Sequence, residues 1–215
     1  MRPDIVAGAP FPDYELPDHT GARRRLSELQ GRDPMVLVLA RGHYCPKDFH
    51  QLKSYVAFYP ELRVGYTRLV TITTDHLAEL NELRDKLGAP WPFLADPMRT
   101  IQKDLDIQEY TDPRHDPMIP YTFVLAPGLV IFKIYNGYWY WGRPSPEDLR
   151  RDLRELFQQI RPDWDITTPE MRGAWARGER ERFFPYRPAA GSSAGTPAPG
   201  SSPSGTGTSS APGPR

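Results

Sequence analysis

Residues 35–40 read Met-Val-Leu-Val-Leu-Ala, six apolar side chains in unbroken succession between Asp33-Pro34 and Arg41. A run without polar alternation is the pattern of a strand covered on both faces. A chain that contains it must build a layer above and a layer below a sheet. The same run is far short of the ~20 apolar residues that cross a bilayer, so no membrane partner is expected.

The segments around this strand alternate in type. Phe11–Leu16 and Arg23–Leu26 flank Asp18-His19-Thr20-Gly21 and predict an N-terminal hairpin. After the apolar run, Pro46 stands where a helix tolerates proline best. Phe49, Leu52, Val56 and Tyr59 follow at helical spacing, predicting a helix that starts at about Cys45. Leu69–Thr73 predicts a strand, and Asp75 is the expected cap of a helix carrying Leu77, Leu80, Leu83 and Leu87 before Gly88. A short helical piece near Met98–Leu105 precedes two strands, Thr122–Leu125 and Val130–Tyr135, joined through Pro127-Gly128. Ser145, Pro146 and Asp148 open the clearest helix, which carries Leu149, Leu153, Leu156, Phe157 and Ile160. Parallel strands, then a hairpin, then a packing helix make an α/β order. The expected fold is a thioredoxin-like three-layer arrangement with a central mixed β-sheet and an N-terminal β-hairpin.

Composition removes several functions. The 27 Lys and Arg balance 27 Asp and Glu across 215 residues, so the chain lacks the positive field that phosphate backbones attract, and no nucleic-acid partner is expected. One Cys supports neither an internal disulfide nor a Cys-based zinc site. The five His show no ligand set, so no metal is expected, and nothing calls for a cofactor. Met1-Arg2-Pro3-Asp4 does not start like a signal peptide, and a cytoplasmic location is expected. Residues 1–165 fit one domain, and residues 166–187 mix aromatic and charged residues in an extension of open character. Residues 188–215 are almost wholly Pro, Gly, Ser, Thr and Ala and are expected to be disordered. Tyr138-Trp139-Tyr140-Trp141 is read first as packing against the last helix and second as a homodimer contact.

Cys45 draws attention by its position, in Arg41-Gly42-His43-Tyr44-Cys45-Pro46-Lys47-Asp48. A sulfur at a helix N-terminus faces unpaired N–H groups and the positive end of the dipole, both of which favour thiolate. Arg41, His43 and Lys47 add positive charge, and Asp48, one turn into the helix, opposes it. The bland alternative is a small buried hydrophobe.

The turn Arg-Gly-x-x-Cys-Pro at Arg41–Pro46 resembles the active-site turn of the AhpC/TSA peroxiredoxins, closest to a peroxiredoxin-like branch that often reads Cys-Pro-x-Cys. Gly8-Ala9-Pro10-Phe11-Pro12, Leu26-Ser27-Glu28-Leu29 and Ile119-Pro120-Tyr121-Thr122-Phe123 are similar to that group's opening hairpin and Pro-x-Thr-Phe strand start. The resemblance implies that Cys45 is the peroxidatic cysteine, its thiolate oxidised by a peroxide to sulfenic acid, with Arg41, Gly42, Pro46, Pro120 and Thr122 in support. The chain departs from the pattern in three places. Asp48 stands where a second Cys is common, Gly42 where Thr or Ser binds peroxide, and Pro120 where an Arg approaches the thiolate; Arg41 and Arg114 are the candidate substitutes. With no other Cys, the implied reductant is an external thiol, either a small thiol or a thioredoxin-like protein. Two other readings stay open: a monothiol thioredoxin-like disulfide reductase, favoured by Pro120, whose like in that fold exposes backbone to an extended substrate, and a non-catalytic thioredoxin-fold binding module. A sulfur buried among apolar side chains would leave only the scaffold.

Overall fold

The computed structural model describes residues 1–183. The expected disordered tail at residues 188–215 lies outside the described residues. The chain divides into a unit from Met1 to Pro162 and a second from Asp163 onward.

In the first unit, β1 (Glu15–Pro17) and β2 (Arg23–Arg25) pair antiparallel as the expected hairpin. Asp18 stabilises its turn by accepting from the Thr20 N–H at 2.8 Å and the Thr20 hydroxyl at 2.6 Å. Leu26, expected to end the second strand, instead begins α1 (Leu26–Gln30). The central sheet has the order β5-β4-β3-β6-β7, with β3 (Met35–Ala40) in the middle. It runs parallel to β4 (Arg68–Thr73) and antiparallel to β6 (Tyr121–Ala126), which turns into β7 (Val130–Asn136). The sheet is therefore mixed, as expected. Its outer strand β5 (Phe93–Ala95) is three residues long, and the sequence gave no local sign of it.

Alternation along β3 sorts its side chains into two cores. Met35, Leu37 and Leu39 join Phe11, Leu16, Leu26, Ile101 and Phe123 on one face. Val36, Val38 and Ala40 join Leu52, Tyr55, Leu80, Leu149 and Leu153 on the other. The second face is covered by α2 (Pro46–Val64), α3 (Leu77–Leu87) and α5 (Pro146–Ile160), and α4 (Thr100–Asp104) lies on the first. All six β3 residues are buried. At roughly 1.5–3 kcal/mol for each large side chain, they make this strand the energetic centre of the unit.

The helix signals fare unevenly. Ser145 and Asp148 form the expected capping box, and Gly88 ends α3 in the left-handed conformation at φ 67°. Asp75 does not cap α3: that position is His76, and the Asp75 carboxylate faces the loop after β3 instead. In the second unit, α6 (Pro169–Ala176) is capped by the Thr168 hydroxyl, and Met171, Ala174 and Phe183 form a small apolar cluster.

Candidate active site

The loop from Arg41 to Tyr44 carries the chain from the end of β3 to α2, and Cys45 is the N-cap residue of that helix. Its shape is held by two side chains that follow β4. The Thr74 hydroxyl donates to the Arg41 carbonyl at 2.8 Å, and Asp75 accepts from the His43 N–H at 2.9 Å. The His43 ring Nδ1 lies 2.7 Å from the other Asp75 oxygen. Gly42 sits between them at φ 134°, and a Cβ there would stand 2.6 Å from Asp75 Oδ1. Any side chain at residue 42, the Thr or Ser of the usual pattern included, would collide with this carboxylate.

Cys45 is 3% exposed, yet it belongs to neither apolar core. Its surroundings are polar. The backbone N–H groups of Lys47 and Asp48 donate to the sulfur, as a helix mouth predicts. The Asp48 side chain folds back from one turn inside α2, so that its carboxylate contacts the thiol, accepts the Arg41 N–H at 2.6 Å and forms an ion pair with Arg143. Asp48 thus does not cap its own helix but ties the preceding loop to it.

Arg143 is the residue that sequence reasoning missed. It stands just before α5, almost wholly buried, and donates to Gln51 Oε1 at 3.1 Å and to the Gly137 carbonyl at 2.6 Å as well as to Asp48. Gln51 in turn donates to the Thr122 hydroxyl at 3.0 Å and to the Tyr55 hydroxyl at 2.9 Å. A continuous polar chain therefore runs from Thr122 on β6 through α2 to Arg143, Asp48 and Cys45. Nothing local marks Arg143 in Gly142-Arg143-Pro144; only the tertiary fold brings it to Asp48.

The two proposed arginine substitutes separate. Arg41 pairs with the buried Glu109, while Arg114 is exposed. The Arg41 Nε and the Tyr44 hydroxyl are buried without a hydrogen-bond partner, and both sense the Cys45 sulfur electrostatically. Arg41 and Lys47 line a cavity of about 320 Å³ with Glu109, Tyr138, Trp139 and Tyr140, which adjoins one of about 540 Å³ lined in part by Tyr110, Ile119 and Trp139. The aromatic run does not bury itself against α5: Trp139 is 73% and Trp141 89% exposed. Its density is a surface property, rooted only where Tyr140 meets His50 edge-on at 5.6 Å.

The electrostatics correct the expectation of a preformed thiolate. Burial pushes the Cys45 thiol up and Asp48 pushes it further, outweighing the backbone N–H groups and Arg143. Burial likewise pushes the Asp48 carboxyl up against the pull of Arg143. Two acids thus meet in one buried place, both favouring the neutral form.

Pro120 immediately precedes β6, at the end where Leu39 pairs with Tyr121. The backbone beside it is already engaged: the Ile119 N–H donates to the Ile107 carbonyl at 2.7 Å, and the Pro120 carbonyl accepts from the Gly137 N–H at 2.8 Å. Among the described residues, no cluster of three or more His, Cys, Asp and Glu could hold a metal ion, and no helix is long and apolar enough to cross a membrane.

A match to the AhpC/TSA family covers residues 7–133, more than half of the chain and all of β1 to β6 with the Cys45 turn. The chain belongs to this family. Two Mycobacterium tuberculosis proteins named as peroxiredoxins are 27% identical to it over 124 residues, covering 56% of this chain and 79% of theirs. Among solved structures, the peroxidoxin BcpB of Mycobacterium tuberculosis superposes with a TM-score of 0.60 at 22% identity, covering 70% of this chain and 95% of that one. The yeast mitochondrial 1-Cys peroxiredoxin gives 0.59 at 13% identity, over 72% of this chain and 78% of its own. These likenesses bear out the thioredoxin fold. AhpC/TSA membership supports an oxidoreductase that reduces peroxides with a thiol, and the chain's one cysteine is consistent with the one-cysteine type.

Proposed function

We propose that this protein reduces peroxides through Cys45 alone and is returned to the thiol by an external reductant. The observation that carries the reading is the placement of the chain's single cysteine at the mouth of α2, in a buried polar cluster rather than an apolar core. In this cycle the sulfur attacks one peroxide oxygen, an alcohol or water leaves, and Cys45 is left as sulfenic acid. An incoming thiol, small or borne by a thioredoxin-like protein, forms a mixed disulfide with release of water, and a second thiol restores Cys45. Arg41, Pro46 and Thr122 act here by shaping the loop, the helix start and the polar chain behind the sulfur. A cytoplasmic setting accords with an unpaired thiol.

The reading as a disulfide reductase of extended substrates is disfavoured by the engaged backbone at Ile119 and Pro120, which has no free pairing edge on that side. The purely structural reading leaves a buried carboxylate against a thiol without purpose, at a cost in stability.

The test is whole-protein mass spectrometry after one equivalent of hydrogen peroxide or an alkyl hydroperoxide, with a sulfenic-acid trap present. One trap adduct mapped to Cys45, absent from Cys45→Ser, is expected, together with thiol-dependent peroxide consumption. A chain that consumes no peroxide and forms no adduct refutes the proposal.

A further inference from the structure

Asp48 has no role in the scheme above beyond folding the loop, yet its carboxylate is buried, touches the sulfur and lies where no bulk water serves as a base. We propose, building on the peroxidase reading, that Asp48 is a catalytic residue that carries the thiol proton from Cys45 to the leaving oxygen of the peroxide.

The geometry gives this carboxylate two fixed ties and one variable one. The Arg41 N–H and the Arg143 guanidinium hold its oxygens in place, and the third neighbour is the thiol itself. The charged and titratable groups that face the pair are Arg143 before α5, with Arg41 and Tyr44 from the loop after β3; Glu109 neutralises Arg41 from behind. Lys47 contributes its backbone N–H. The pair therefore exchanges a proton inside a fixed set of charges. Burial of both acids, which disfavours a standing thiolate, also disfavours release of the proton to solvent.

The step balances. The S–H proton passes to a carboxylate oxygen of Asp48 while a sulfur electron pair attacks the terminal oxygen of ROOH. An S–O bond forms, the O–O bond breaks, and its electron pair departs on RO⁻. That oxygen takes the proton from Asp48, giving ROH, Cys45 as S–OH and Asp48 again as carboxylate. Sulfur loses two electrons and the peroxide gains them.

A mere electrostatic brake and a proton carrier predict opposite results for Asp48→Asn. Removing the negative charge lowers the thiol pKa in either case, so alkylation of Cys45 by iodoacetamide at pH 7 should be faster than in the wild type. If Asp48 carries the proton, the rate of sulfenic acid formation should nevertheless fall by about 10²-fold or more, the usual range for positioned acid–base groups. Asp48→Glu should recover part of that loss. If Asp48 only opposes the thiolate, both rates rise together and the inference is overturned. The pH profile of wild-type oxidation decides independently of whether the variant folds. A rate nearly level across pH 6–8 is expected from a proton kept within the pair; a tenfold rise per pH unit overturns the proposal. A wild-type chain that forms no sulfenic acid at Cys45 defeats the peroxidase reading and this inference with it, and is distinguished by appearing before any substitution is made.

Discussion

Arg143→Met tests the polar chain at its most exacting point. The substitution keeps the length and much of the apolar stem while deleting the donors to Asp48, Gln51 Oε1 and the Gly137 carbonyl. Breaking a buried ion pair from one side costs roughly 3–5 kcal/mol, because the remaining charge keeps its desolvation penalty and loses its partner. In a unit of this size each kcal/mol lowers Tm by about 2–4 °C, so a fall of roughly 6–20 °C is expected. The loss should depend on pH with a definite sign. Without Arg143, the folded-state pKa of Asp48, already raised by burial, rises further above its unfolded value. Such an acid is penalised where the unfolded chain is ionised and the native one resists ionisation, so the deficit is largest near neutrality and shrinks as pH falls toward about 4. Replacing both partners, as in Asp48→Leu with Arg143→Met, removes the orphaned charge and should cost less than Arg143→Met alone. Urea unfolding followed by tryptophan fluorescence at pH 5 and pH 8 reads all of this. A deficit under about 1 kcal/mol at pH 8, or one equal at both pH values, would refute the account of a tightly coupled pair.

Three other outcomes follow from the same geometry. Gly42→Ala should destabilise by about 1–3 kcal/mol in urea unfolding, since the new Cβ meets Asp75 Oδ1 at 2.6 Å with φ at 134°; a neutral result would mean the loop relaxes freely. Burial raises the Cys45 pKa, so the native thiol stays protonated after the unfolded one ionises. Stability should therefore fall as pH rises from about 8.5 toward 10, and Cys45→Ser should flatten that decline in Tm against pH. Burial draws Asp18 upward, but the Thr20 hydroxyl and N–H and the Ala22 N–H outweigh it and leave the carboxyl below its ordinary value. Asp18→Ala should then cost about 1–2 kcal/mol at pH 7, a difference that disappears as acid titrates the carboxyl through its depressed pKa and that denaturant unfolding at pH 7 and pH 2 measures.

What the sequence displays is what neighbours in the chain decide. The apolar run of β3, the proline and spacing of α2, and the Ser145–Asp148 box of α5 are each complete within a few residues, and each element forms where those signals stand. Strand β5 is too short to show a period and exists because Phe93, Leu94 and Ala95 pair with Thr71, Ile72 and Thr73. Five-residue α1 escapes notice for the same reason. Cys45 was legible as an N-cap, because the helix start is local. Its raised pKa was not, because burial under the surrounding elements and the return of Asp48 belong to the folded chain. Asp75 looked like a cap by spacing, but His43 and Gly42, 32 or more positions earlier, claim its carboxylate. The Trp-rich run illustrates the reverse: four aromatics have the same density whether buried or exposed, and only the fold decides.

Position 48 links these observations to the chemistry. A side chain three residues after Cys45 folds back onto the sulfur, so a cysteine there would stand beside it, which gives a physical sense to the Cys-Pro-x-Cys pattern of related chains. An aspartate in the same place brings a buried charge, and that charge requires a buried cation. Arg143 supplies it, but only because Gly137 and Gln51 occupy its remaining donors, and Gln51 is itself anchored on Thr122. A single exchange thus commits α2, β6 and the segment before α5 to one network. It also exchanges an internal reductant for an internal base. In the proposed cycle the oxidised sulfur finds no thiol within the chain and must wait for one from outside, while the proton that leaves it need not travel to solvent at all.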